Sequence, residues 1–162
     1  MKAGEDALTF LAWSRVWSPL VPPAWRAEAW QALGMAGSFE EREAEYWRTF
    51  HFGVPSPRVP LLLHAALGRD GGQVREDWMR VFQFLGLRFD GPTLAPDHLG
   101  PACEALASAL ENRDLILVGE LRERYLEPWC RVAQARLAPD AHTLAELPAA
   151  FATDLARFAA SV

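Results

Sequence analysis

The chain is 162 residues long, 51% hydrophobic and 23% charged, with a net charge of −5 at neutral pH. That length suits one domain, here residues 1–162, able to bury roughly 70% of its unfolded surface. The balance of apolar and charged residues excludes a disordered chain, and the net negative charge argues against nucleic acid as a partner. The acidity is concentrated. Residues 97–127 carry seven acids (Asp97, Glu104, Glu111, Asp114, Glu120, Glu123, Glu127) against three arginines (Arg113, Arg122, Arg124), which favours a cationic partner.

No apolar run approaches the roughly 20 residues of a membrane span. The apolar patch Leu8–Trp13 is preceded by acids and closely followed by Arg15, unlike a secretory signal. Cys103 and Cys130 form no C-x-x-C pair and read as two buried thiols in a reducing compartment. The expectation is a cytoplasmic protein without membrane insertion.

Alanine, leucine, glutamate and arginine dominate, strand-type alternation is missing, and proline and glycine clusters punctuate the chain. A first helix is expected from about Glu5 to Trp17 and a second from Ala24 to about Met35, after Pro22-Pro23. "SFEE" (38–41) is a capping box opening a third helix to Phe50. "GVPSPRVP" (53–60) has too many prolines for a helix and makes a stiff, extended loop. Leu61–Leu67 reads as a short helix, Gly71-Gly72 as a turn, and Val74–Leu85 as an amphipathic helix with Val74, Trp78, Val81 or Phe82, and Leu85 on one face.

A second loop, "GLRFDGPTLAP" (86–96), precedes a helix with Leu99, Cys103, Leu106 and Leu110 as its core stripe. Leu115–Leu126 and Pro128–Leu137 follow as a pair, or as one helix kinked at Pro128. "TLAE" (143–146) is a further capping box before a closing helix through Phe158. The expected fold is all-α, a single-domain bundle of about eight or nine helices with short connections.

Catalytic signatures are missing. His51, His64, His98 and His142 show no zinc-type spacing, and neither a phosphate-binding glycine loop nor a G-x-S-x-G elbow occurs. We therefore expect no enzyme, no metal and no cofactor. Aromatic residues are more informative. Most of the seven tryptophans read as core, Trp78 and Trp129 above all. Trp47, Phe50 and Phe52 instead flank the proline loop, where with Pro55 and Pro60 they could line an apolar groove for a peptide or a helix. In "PDHLGP" (96–101), Asp97 could cap a helix starting at His98, or Gly100 could cap one starting at Pro101. Either way His98 lies near the positive end of the helix dipole, which favours a neutral imidazole able to donate and accept beside a carboxylate.

"LAPDHLGPACEAL" (94–106) resembles the signature of the TorD/DmsD/NarJ family, cytoplasmic assembly chaperones of molybdenum oxidoreductases, through Pro96, Asp97, His98, Leu99, Gly100 and Glu104. Three further stretches are similar in order and spacing. They are "EYWRTFHFGVPSPRVPL" (45–61), "VREDWMRVFQFLGLRF" (74–89) and "LRERYLEPWCRVAQARL" (121–137). The resemblance implies a TorD-like helical chaperone, monomer or homodimer, that binds the N-terminal leader, commonly a twin-arginine signal peptide, of a molybdenum oxidoreductase's catalytic subunit until cofactor insertion. It implies that Asp97, His98, Pro96 and Glu104 engage the polar part of the leader, and Phe50, Phe52, Pro55, Pro60 and Trp47 its apolar part. A generic helical adaptor, binding an amphipathic helix or the mature surface of a partner protein, is the alternative.

Overall fold

A computed structural model describes residues 2–89, 93–140 and 142–158, so part of the loop expected at 86–96 lies outside the described residues. The elements are α1 (Lys2–Trp17), α2 (Pro23–Ala32), α3 (Phe39–Phe50), α4 (Leu63–Leu67), α5 (Gly71–Leu85), α6 (Leu99–Glu111), α7 (Leu115–Leu121), α8 (Glu127–Leu137) and α9 (Glu146–Ala156). Among the described residues there are no strands, only an isolated antiparallel bridge between Leu62 and His98. The expected all-α bundle is what forms.

Helix α6 is the central post. Ten of its thirteen residues are buried, so it is covered on every side. The expected stripe of Leu99, Cys103, Leu106 and Leu110 is inside, but so are Ala102, Ala105, Ala107 and Ala109. Those small side chains let neighbouring helices approach closely, and α1 makes the most extensive pairing with it. Trp13, Trp17, Trp30, Trp78 and Trp129 are fully buried. Trp17 sits at the middle of the aromatic core, edge-on to Phe50 at 5.3 Å, Trp129 at 5.3 Å and Phe151 at 6.0 Å.

Several boundaries differ from expectation for identifiable reasons. Helix α2 stops at Ala32 rather than near Met35 because Gly34 takes φ +69°, a left-handed stop. Gly71 and Gly72 are the first turn of α5 rather than a loop, since the Asp70 carboxylate accepts from the Gln73 amide at 2.9 Å and caps the helix one turn earlier. Pro128 does not kink the chain abruptly. A π-turn over Arg122–Leu126, with the Glu127 amide donating to the Arg122 carbonyl, absorbs the missing proline N–H and carries α7 into α8. Ser38 does cap α3, accepting from the Glu41 amide at 3.4 Å. The Thr143 box does not form: His142 Nδ1 accepts from the Leu144 amide at 3.1 Å, while the Thr143 hydroxyl donates to Glu45 at 2.8 Å and ties α3 to the approach to α9.

Candidate functional site

The chain leaving the proline loop is stitched to the chain entering α6. The Leu63 amide donates to the Asp97 carbonyl and the Leu99 amide to the Leu61 carbonyl, both at 2.9 Å. Asp97 completes the joint with its side chain. It is fully buried, and its Oδ2 accepts from the His64 amide at 3.0 Å and from His64 Nδ1–H at 2.5 Å. Asp97 thus caps a helix, but α4 rather than α6, a correction to both sequence readings. Leu62, at the head of α4, has no capping side chain, so an acid brought from 33 residues away supplies the acceptor. Its second oxygen, Oδ1, is buried without a partner. With no exposed surface, Asp97 cannot touch a leader peptide, contrary to the role its motif suggests.

The cap of α6 is His98. Its Nδ1 accepts from the Gly100 amide at 3.0 Å, which leaves the proton on Nε2. Burial holds its pKa down to about 4, outweighing the opposing pull of the Asp97 charge. Gly100 serves this geometry: a Cβ there would lie 3.3 Å from His98 Nδ1 and 3.5 Å from both Leu94 and Ser18.

Behind His98 lies a polar layer. His51 is 6.4 Å away centre to centre, and its pKa falls to about 3, first through burial and then through the nearby His98 and Arg26. His51 Nε2 is 3.0 Å from the Tyr46 hydroxyl, which donates to the Val16 carbonyl and whose pKa burial raises. Arg26 is only 1% exposed and forms no ion pair among the described residues. Its guanidinium lies over Phe39 at 5.2 Å, Trp47 at 5.1 Å and Tyr46 at 5.9 Å, so ring faces replace a carboxylate. Its Nη2 donates to the Ser18 carbonyl at 2.5 Å and pins the turn after α1.

That turn is one wall of a groove of about 810 Å³. Ser18, Leu20 and Trp25 form this wall; Met79, Phe82, Leu87 and Phe89 at the end of α5 form the second; Leu94, Pro96, Gly100, Pro101 and Glu104 form the third. Leu20, Trp25, Met79 and Phe89 are 52%, 48%, 45% and 39% exposed, an unusual concentration of open apolar surface. Arg88 and Glu104 are the charged groups of the lining. Glu104 is half-buried, accepts from the Ser14 hydroxyl at 3.2 Å, and has its carboxyl pKa raised by burial. No cation sits within ion-pairing distance of it among the described residues.

The residues expected to form one peptide site therefore separate. Pro96 and Glu104 line the groove; Asp97 and His98 stand behind it as caps. Phe50 and Pro60 are buried, the first against Trp17 and the second with its carbonyl accepting from Trp129 Nε1 at 2.9 Å, so neither is available to a ligand as expected. Trp47 is half-buried beneath His51 and Phe52, while Phe52 and Pro55 are exposed on the proline loop. Trp25, one of the groove's aromatics, gives no signal of its role in the sequence motifs. The signal was its position off the α2 stripe of Arg26, Ala29 and Trp30.

No helix among the described residues is long and apolar enough to cross a membrane, and no group of three or more His, Cys, Asp or Glu side chains among them could hold a metal ion. Comparison of the chain with protein-family models, with curated proteins and with solved structures finds no match.

Proposed function

We propose that the protein is a cytoplasmic assembly chaperone of the TorD/DmsD/NarJ type, a binding protein rather than an enzyme, which holds the N-terminal leader of a molybdenum oxidoreductase subunit before export or membrane assembly. The observation that carries the reading is the groove. The stretch bearing the resemblance, through Pro96, Gly100 and Glu104, forms one of its walls, and the other two walls carry the exposed apolar side chains Leu20, Trp25, Met79 and Phe89. A volume of about 810 Å³ suits a few residues of peptide rather than a whole helix.

A leader combines arginines with an apolar stretch. In this reading the apolar stretch lies against Leu20, Trp25, Met79 and Phe89, and an arginine meets Glu104. Burial already penalises the Glu104 charge, so an arriving guanidinium recovers more than it would from an exposed acid. Asp97, His98 and Arg26 act indirectly by fixing the walls. Binding then weakens toward acid pH, beginning at a higher pH than for an ordinary carboxylate.

The test is calorimetric titration with leader peptides from the molybdenum enzymes of the source organism, each beside a version with its arginines replaced by glutamine. Micromolar or tighter binding to one leader, lost on replacement, is the expected result. Folded protein that binds none of them, but binds the mature surface of a partner, would instead establish the adaptor reading.

A further inference from the structure

One wall of the groove depends on where a single exposed ring points. Trp13, Trp17, Trp30, Trp78 and Trp129 are fully buried and Trp47 is half-buried, whereas Trp25 is 48% exposed. Trp13, Trp30, Trp47 and Trp129 are also tied by their indole N–H groups to an acceptor. Trp25 has no such bond among the described residues, and no second aromatic ring packs on it there. A side chain so placed has several staggered orientations open to it. If it must be ordered when a ligand arrives, that ordering weakens binding.

Arg15 supplies the restraint. It stands in the last turn of α1 and Trp25 in the first turn of α2, and across the intervening reversal its guanidinium lies over the Trp25 ring, 5.0 Å from the centre. Arg15 forms no ion pair among the described residues, so no carboxylate draws it off the ring. It does not line the groove. It borders instead a shallow hollow of about 270 Å³ between α1 and α2, which Trp25 does not line. The cation therefore backs the ring from the side away from the groove.

We propose that Arg15 is a positioning residue, which holds the Trp25 ring as a fixed wall for the apolar stretch of the leader. The inference rests on the leader-binding reading of the groove. Arg26, next in sequence to Trp25, holds the same reversal from inside through the Ser18 carbonyl. The turn is thus fastened on both sides, and Ser18, Leu20 and Trp25 are kept together as one wall. A cation over an exposed ring favours the held orientation about two- to fivefold, and apparent affinity falls in proportion to the population of the binding-competent form.

Two measurements test this on Arg15→Met and Arg15→Lys, which differ in charge but are both good helix formers. In the leader-free protein, ¹⁵N relaxation of the Trp25 indole N–H, assigned by its loss in Trp25→Phe, should show greater mobility in Arg15→Met and wild-type behaviour in Arg15→Lys. In calorimetry, a leader peptide that binds wild type should bind Arg15→Met about two- to fivefold more weakly. Arg15→Lys should restore the affinity, and Arg15→Met should add no further loss in a Trp25→Ala background. Unchanged indole relaxation overturns the proposal, as does an equal loss in the Trp25→Ala background. So does tighter binding by Arg15→Met, the result expected if Arg15 acted only as a bare charge repelling the leader's arginines. Folded protein that binds no leader overturns the reading of the groove instead, and the relaxation measurement then decides the Arg15 restraint by itself.

Discussion

Replacing Asp97 with alanine removes the side chain that joins the end of the proline loop to the start of α6. Two contacts go with it: the cap on the His64 amide at 3.0 Å and the bond from the His64 ring at 2.5 Å. Loss of an N-cap costs about 1 kcal/mol, and loss of a hydrogen bond to a buried charged group about 2 kcal/mol more. The His64 side chain keeps 22% of its surface exposed and can turn to water, which limits the second figure. A total near 3 kcal/mol corresponds, in a chain of this size, to a melting temperature about 6–12 °C lower. Asp97→Asn keeps an acceptor for both donors but puts an amide where Oδ1 is buried without a partner, so it should cost about 1 kcal/mol. Urea and thermal denaturation followed by circular dichroism measure both. Because Asp97 is fully buried, leader affinity of the folded Asn variant should match wild type within about threefold, or 0.7 kcal/mol. An alanine variant that melts within about 1 °C of wild type, a difference below about 0.5 kcal/mol, would refute the joint.

Acid should destabilise the fold in a particular window. His98 titrates near 4 when folded and near 6.5 when unfolded. Above pH 6.5 neither state takes up this proton; as pH falls from 6.5 to 4 the unfolded state binds it first, so stability drops, by about 3 kcal/mol from this group alone. Replacement by asparagine, which caps without titrating, should make the slope in a urea series across that window shallower by nearly one proton. Gly100→Ala should destabilise by about 1 kcal/mol in urea melts, since its Cβ would crowd His98, whereas Gly119→Ala, with open space at that position, should stabilise by up to about 1 kcal/mol. Glu104→Gln should leave the melting temperature within about 2 °C, a change of under about 1 kcal/mol. In calorimetry it should weaken an arginine-bearing leader about tenfold.

The helices were legible because their signals are local. Apolar residues three and four apart, and the glycines and prolines between them, need only neighbours to act, and they marked α3, α5 and α6 well. The joint was not legible, since the acid that caps α4 lies 33 residues away along the chain. Histidine caps at His98 and His142 also escaped, because an imidazole accepts a hydrogen bond only in one tautomer and one orientation. Arg26 reads as an ordinary surface charge on α2, and only the packing of Phe39, Tyr46 and Trp47 around it makes burial tolerable. The groove draws its walls from three separated segments, none with a pattern of its own. Exposed apolar side chains do stand on the proline loop, at Phe52 and Val54, but Phe50 is in the core, and the groove lies instead around Trp25 and Phe89.

Where a leader sits is therefore the measurement that bears most directly on function. A leader that binds wild type should be titrated into Trp25→Ala, which alters the groove, and into Phe52→Ala, which alters the exposed aromatic on the proline loop. Trp25→Ala should lose at least tenfold in affinity, about 1.4 kcal/mol, and Phe52→Ala should leave the constant unchanged. The reverse, full affinity without Trp25 and loss without Phe52, would contradict this and return the site to the proline loop.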